Sequence, residues 1–116
     1  MKLTKREIRG VVVVEVHGKL IGGSESSDEF HRVIKALLDE GKNRVVINLS
    51  RVSYADSRGI GILIGAYTSI KNAGGDLILA HVVDRINGIL IVTQLALIFK
   101  TFDSEDEAVS YLEKTT

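Results

Sequence analysis

The stretch RVVINLSRVSYADSRGIGILIGAYTSIKNAGGDLILAHV, Arg44 to Val82, decides the fold. Val45 to Leu49 is a short apolar run and reads as a fully buried strand. The polar Ser50 to Ser57 reads as a loop that enters a helix at Asp56 and Ser57. The helix has its full length from Ser57 to Ala73, and Gly74-Gly75 ends it. Leu77 to Val82 is the next buried strand. Strands alternating with helices in this way predict an α/β fold built on a largely parallel sheet.

Working outward, Leu3 to Ile8 and Val11 to Val16 read as two strands that turn at Arg9-Gly10. The four consecutive valines of the second favour extended structure. This hairpin adds one antiparallel pair, so the sheet is expected to be mixed. Ser26 and Glu29 stand at capping-box spacing ahead of the helical stripe Phe30, Val33, Ile34, Leu37 and Leu38, with Gly41 as its stop. Downstream, Asp84 to Leu95 reads as a short helix and Ile98 to Phe102 as a last strand. The acidic run Ser104 to Glu107 opens a final helix, where negative charge suits the dipole and solvent. The expected architecture is a mixed, mostly parallel sheet with about four helices, in one domain over residues 1–116.

Bulk properties narrow the function. The chain has 116 residues, 45% of them hydrophobic and 26% charged, a globular composition. Fifteen basic residues balance fifteen acidic ones, which lacks the basic excess expected of a nucleic-acid binder. With no cysteine, neither a disulfide framework nor a thiol nucleophile is available. MKLTKREIRG is too polar for a signal peptide. The apolar stretch Ile86 to Phe99 is broken by Asn87, Gly88, Thr93 and Gln94 and is too short to span a bilayer. A cytoplasmic location is the expectation. His17, His31 and His81 lack any paired ligand spacing, so neither a metal nor a cofactor is assigned, and no enzymatic activity.

The chemistry centres on Asp56 and Ser57, both favoured capping residues. A hydroxyl at a helix entry lies beside free backbone N–H groups at the positive end of the dipole. Phosphorylation there is locally tolerable, yet its charge of about −1.5 to −2 transforms the surface. Local physics alone favours the plainer reading, in which Asp56 or Ser57 merely caps the helix, since helix caps greatly outnumber phosphosites. Gly59, Gly61 and Gly65 are costly inside a helix and call for close packing on the sheet or close approach by a partner.

These residues carry a family likeness. YADSRGIGILIGAY followed by AGGDLILAHV resembles the signature of the STAS domain in anti-sigma-factor antagonists, in which Asp-Ser-(Ser/Thr)-Gly-(Leu/Ile)-Gly precedes a helix. Asp56, Ser57, Gly59, Ile60 and Gly61 match position for position. The likeness extends to GKLIGGSESSDEF, to DRINGIL and TQLALIF, and to the acidic DSEDEAVSYL. It implies a phosphorylation switch at Ser57, with Asp56, Gly59 and Gly61 shaping the partner-binding surface and Gly22, Gly23 and Ser24 bordering it. The implied partners are an anti-sigma factor that is also a serine kinase of the GHKL ATPase type, bound by the unphosphorylated form, and a phosphatase that resets Ser57. Arg58 departs from the pattern, which has serine or threonine there. An arginine at that place pairs with a phosphate on Ser57, alters kinase recognition, or marks a retuned or lost switch.

Two other readings stand beside this one. STAS domains also serve as constitutive, unphosphorylated subunits of signalling or lipid-transport assemblies, and Arg58 gives that reading weight. A nucleotide-binding module is the enzyme-like alternative. Its glycines, however, are spaced G-x-G-x-x-x-G rather than G-x-G-x-x-G, and no Walker lysine follows. The apolar run Ile89 to Val92 reads as extra core or as an exposed patch for a partner.

Overall fold

The computed structural model describes residues 1–82 and 98–114. β1 (Lys2–Ile8) and β2 (Val11–Leu20) form the expected antiparallel hairpin, with Ile8 opposite Val11. Arg9 and Gly10 both have positive φ, 51° and 80°, which matches the right-handed twist of the flanking strands in a two-residue turn. α1 (Ser24–Asp39) leads to β3 (Arg44–Ala55), α2 (Ser57–Asn72) leads to β4 (Asp76–Ala80), and β5 (Thr101–Phe102) precedes α3 (Glu105–Lys114). The sheet order is β1-β2-β3-β4-β5, with every pair after the first parallel.

Because each parallel connection steps one strand in the same direction, right-handed crossovers place α1 and α2 on the same face. Phe30, Ile34 and Leu37 of α1 and Ile60, Leu63 and Ile70 of α2 pack there on Val12, Val14, Val16, Val45, Ile47 and Leu49. On the other face Ala108, Val109 and Leu112 of α3 cover Val11, Val13, Val46 and Ile78. The valine run is therefore buried on both sides, which explains why β2 opens as an unbroken apolar segment rather than an alternating one.

Four expectations need correction. The Ser50 to Ser57 loop does not exist, because β3 runs on to Ala55 and meets α2 through Asp56 alone. Its continuation pairs with an equally extended β2, as far as Leu20 opposite Ala55, and two register irregularities absorb the mismatch. The Ser26–Glu29 capping box is not used. Gly23 stands at the N-cap with φ 143° and no side-chain cap bond, so α1 begins two residues before Ser26. The acidic run is not simply solvated. Glu105 accepts from Arg6 of β1 and from the buried Asn48 of β3, at 3.0 Å from the latter. Arg6 with Asn48 holds the Glu105 carboxyl below its ordinary range. Finally, the last strand is shorter than Ile98 to Phe102.

The described residues contain three helices. The expected helix Asp84 to Leu95 and the run Ile89 to Val92 lie outside the described residues, as does most of the DRINGIL to TQLALIF segment. Among the described residues no helix is long and apolar enough to cross a membrane.

Candidate functional site

The site forms where β2 and β3 end side by side. The Asp56 N–H donates to the Leu20 carbonyl at 3.2 Å, fixing the chain at the point where it leaves the sheet. Asp56 then caps α2, its Oδ1 accepting from the Gly59 N–H at 2.9 Å. Its Oδ2 accepts from Arg58 Nη2 at 3.0 Å. The Gly59 N–H foremost, then Arg58 and the Gly22 N–H, keep the Asp56 carboxyl below its ordinary range. Of the two possible caps the fold uses Asp56. Ser57, the first helical residue, is exposed. Among the described residues its hydroxyl has no hydrogen-bond partner.

The glycines divide by role. A Cβ on Gly59 would lie 1.9 Å from the Leu20 carbonyl oxygen, so the close approach expected there is internal, helix against strand. Gly59 is buried and is not itself part of an outer surface. A Cβ on Gly61 or Gly65 would meet nothing within 4 Å. Both line a groove of about 630 Å³ between α1 and α2, floored by Phe30, Ile34 and Ala66. Gly22 and Gly23 stand at the same groove, and a Cβ on Gly22 would lie 2.4 Å from that of Arg58. The structure thus brings Gly22, Gly23, Asp56, Ser57, Arg58 and Gly61 together. Ser24 opens α1 immediately after Gly23.

The chain matches the model of the STAS domain over residues 2–108. It belongs to the STAS domain family. An anti-sigma F factor antagonist of Paenibacillus polymyxa is 28% identical over 110 residues, spanning 90% of this chain and 89% of that protein. Among solved structures, a candidate anti-sigma factor antagonist from Thermotoga maritima superposes with a TM-score of 0.85 at 25% identity, over 97% of this chain and 95% of that one. The Bacillus cell fate determinant SpoIIAA in its phosphorylated form shares the fold, with a TM-score of 0.71 at 20% identity over 95% of this chain and 98% of that one. The mixed sheet seen here is therefore the STAS arrangement, with Ser57 at the STAS β3–α2 junction.

Sequence reasoning located this junction but missed two of its neighbours. The α1–α2 groove was signalled only by Gly61 and Gly65 standing one turn apart. The far end of β2, Lys19 and Leu20, was read as loop, which hid the pairing of Lys19 with Tyr54 beside the site. His31 lines the groove, while His17 pairs with Glu15 across 3.0 Å on the opposite face of the sheet.

Proposed function

We propose that this STAS protein is an anti-sigma factor antagonist acting by partner switching, with Ser57 as its phosphoacceptor. Unphosphorylated, it binds an anti-sigma factor that is a GHKL-type serine kinase and so frees the sigma factor. The kinase transfers phosphate to Ser57 from its own ATP, the complex separates, and a phosphatase resets the cycle. The observation that carries this reading is the division of labour at the helix entry. Asp56 alone caps α2, which leaves the Ser57 hydroxyl exposed and free to react.

The energetics suit a switch. A phosphate dianion placed inside a close-packed interface must be paired or desolvated, and an uncompensated one costs several kcal/mol. A penalty of about 4 kcal/mol is roughly a thousandfold in affinity. Affinity capture from native lysate tests the reading. Wild type is expected to retain a kinase that Ser57→Asp does not, and ATP is expected to release it from wild type but not from Ser57→Ala. Release of Ser57→Ala by ATP would sink the assignment of Ser57.

Arg58 favours one second reading. It follows Ser57 directly in the chain, its guanidinium pairs with Asp56 at 3.0 Å and its side chain is 73% exposed, so turned toward a phosphate on Ser57 it would neutralise part of that charge. A constitutive STAS subunit would tolerate that. Intact mass spectrometry of protein from its native cells separates the two, by the presence or absence of one added phosphate.

A further inference from the structure

α3 covers only the first half of its face of the sheet, over Val11, Val13, Val46 and Ile78. Beyond it β2 and β3 continue toward the Ser57 junction with polar side chains. Paired residues on neighbouring strands share a side, so the register lays out what they present. Lys2, His17 and Arg51 form one row, and Lys19 and Tyr54 form the next. Tyr54 is 49% exposed, one of only two large apolar side chains so exposed among the described residues.

The charge on this end of the sheet is unbalanced. Arg6 is paired with Glu105 of α3, and a second carboxylate, Glu15, faces Arg6 at 3.6 Å, His17 at 3.0 Å and Arg51 at 3.9 Å. The Arg51 side chain is 70% exposed. Lys2 and Lys19 are exposed and make no ion pair among the described residues. The face borders the switch directly. Tyr54 precedes Ser57 by three residues, and Lys19 adjoins Leu20, whose carbonyl holds the Asp56 N–H. Arg58 flanks Ser57 on the other side.

We propose that Lys19, Arg51 and Tyr54 form, with Arg58, the docking surface around Ser57, and that the anti-sigma partner presents acidic side chains to it. This rests on the partner-switching reading and names the chemistry that the partner must carry. An exposed tyrosine among cations is the composition of an interface anchor with a steering rim. A protein carboxylate fits better than a polyphosphate chain, because Glu15 and Asp56 lie within the patch and would repel a continuous run of phosphates. The same arrangement gives the switch its sign. A phosphate on Ser57 adds negative charge next to Arg58 in the chain and beside the strand end that carries Lys19 and Tyr54, where it would repel the incoming carboxylates.

The test uses the kinase that wild type captures and Ser57→Asp does not, purified, with association followed by stopped-flow. Lys19→Glu/Arg51→Glu changes two exposed side chains, and its thermal unfolding should match wild type. At about 20 mM salt the double variant is expected to associate roughly tenfold or more slowly, with most of the salt dependence of wild type removed. Tyr54→Ala is expected to speed dissociation at least about fivefold with little change in association. An unchanged association rate and salt slope in the double variant would overturn the proposal. So would retention of wild type, but not the double variant, on duplex DNA or phosphatidylserine vesicles, which would assign the face to a polyanion. The two readings fail separately. If Ser57→Asp loses the kinase while the double variant binds normally, partner switching stands and the acidic-partner surface falls. If ATP also releases Ser57→Ala while the double variant is slow, the surface stands and Ser57 falls.

Discussion

Alanine at Gly59 and at Gly61 is expected to move stability in opposite directions, although both glycines lie in α2 and only two residues apart. At Gly59 the new Cβ would sit 1.9 Å from the Leu20 carbonyl oxygen. A carbon and a carbonyl oxygen keep about 3.3 Å apart, so the helix and the end of β2 would have to separate by more than 1 Å, roughly. That carbonyl also accepts from the Asp56 N–H, so moving it loosens the start of the helix as well. Overpacking of this kind costs about 1–3 kcal/mol, and the strained hydrogen bond about 1 kcal/mol more. Against these stands the gain of about 1 kcal/mol from replacing glycine by alanine in a helix. The net expectation is a loss of about 2 kcal/mol.

At Gly61, and equally at Gly65, the methyl group would meet nothing within 4 Å. Only the helix-propensity gain remains, so each alanine should stabilise by about 0.5–1 kcal/mol. Urea denaturation followed by circular dichroism measures all three variants. A shift of 1 kcal/mol corresponds to roughly 3–6 °C in Tm for a chain of this size. A neutral Gly59→Ala, or a destabilising Gly61→Ala, would refute the placement of α2 against β2. The contrast needs no knowledge of any partner.

Other expectations follow from the polar contacts. Asn48 is 5% exposed, donates to Glu105 and accepts from the Ser50 N–H, so Asn48→Ala should cost about 1–3 kcal/mol in the same urea experiment. Glu105 and Asp56 both have carboxyl pKa values lowered by folding, chiefly through Arg6 and the Gly59 N–H respectively. Their contribution is present above the unfolded carboxylate range of about 4 and is lost as pH falls through the lower folded values. A Tm series from pH 7 to pH 2 should be steepest below about pH 4, and Glu105→Gln should flatten it. Ser57→Asp adds a charge at an exposed helix start with the Asp56 cap intact, so its Tm should stay within about 4 °C of wild type.

Local pattern carried most of the fold because burial is periodic here. The first part of β3, Val45 to Ile47, and Leu77 to Ala80 of β4 are apolar on both faces, and α1 shows its stripe at Phe30, Ile34 and Leu37. It failed where local rules are degenerate. Ser24, Ser26, Ser27 and Asp28 are all acceptable caps, and the choice fell to Gly23, three residues before Ser26, where φ of 143° turns the chain into α1. It failed again where pairing is the cause. Ser50 to Ala55 is polar enough to read as loop, yet it is strand because β2 extends beside it with two irregularities. The contact of Arg6 with Glu105 joins residues 99 apart, and no spacing rule reaches that far. At the candidate site, motif and helix entry were legible at Asp56 and Ser57. The capping choice between them was not, because both side chains suit the position and only the geometry of the Gly59 N–H separates them.

That choice determines what a modification at Ser57 can do. Had Ser57 been the cap, its oxygen would have been engaged with the backbone of α2, and esterifying it would have altered the helix start itself. With Asp56 holding the Gly59 N–H and the Leu20 carbonyl holding Asp56, the helix start is fixed by groups that a phosphate on Ser57 does not replace. On the proposed reading the added charge would then act outward, on Arg58 and on whatever surface meets it. A switch built this way alters recognition while the fold stays as it is. On the same reading Arg58 would tune the switch rather than forbid it. In the unmodified chain its guanidinium is already paired with Asp56 at 3.0 Å, so a phosphate must compete with that carboxylate for the same cation. The share of charge that Arg58 neutralises is therefore set by the geometry of the Asp56 cap.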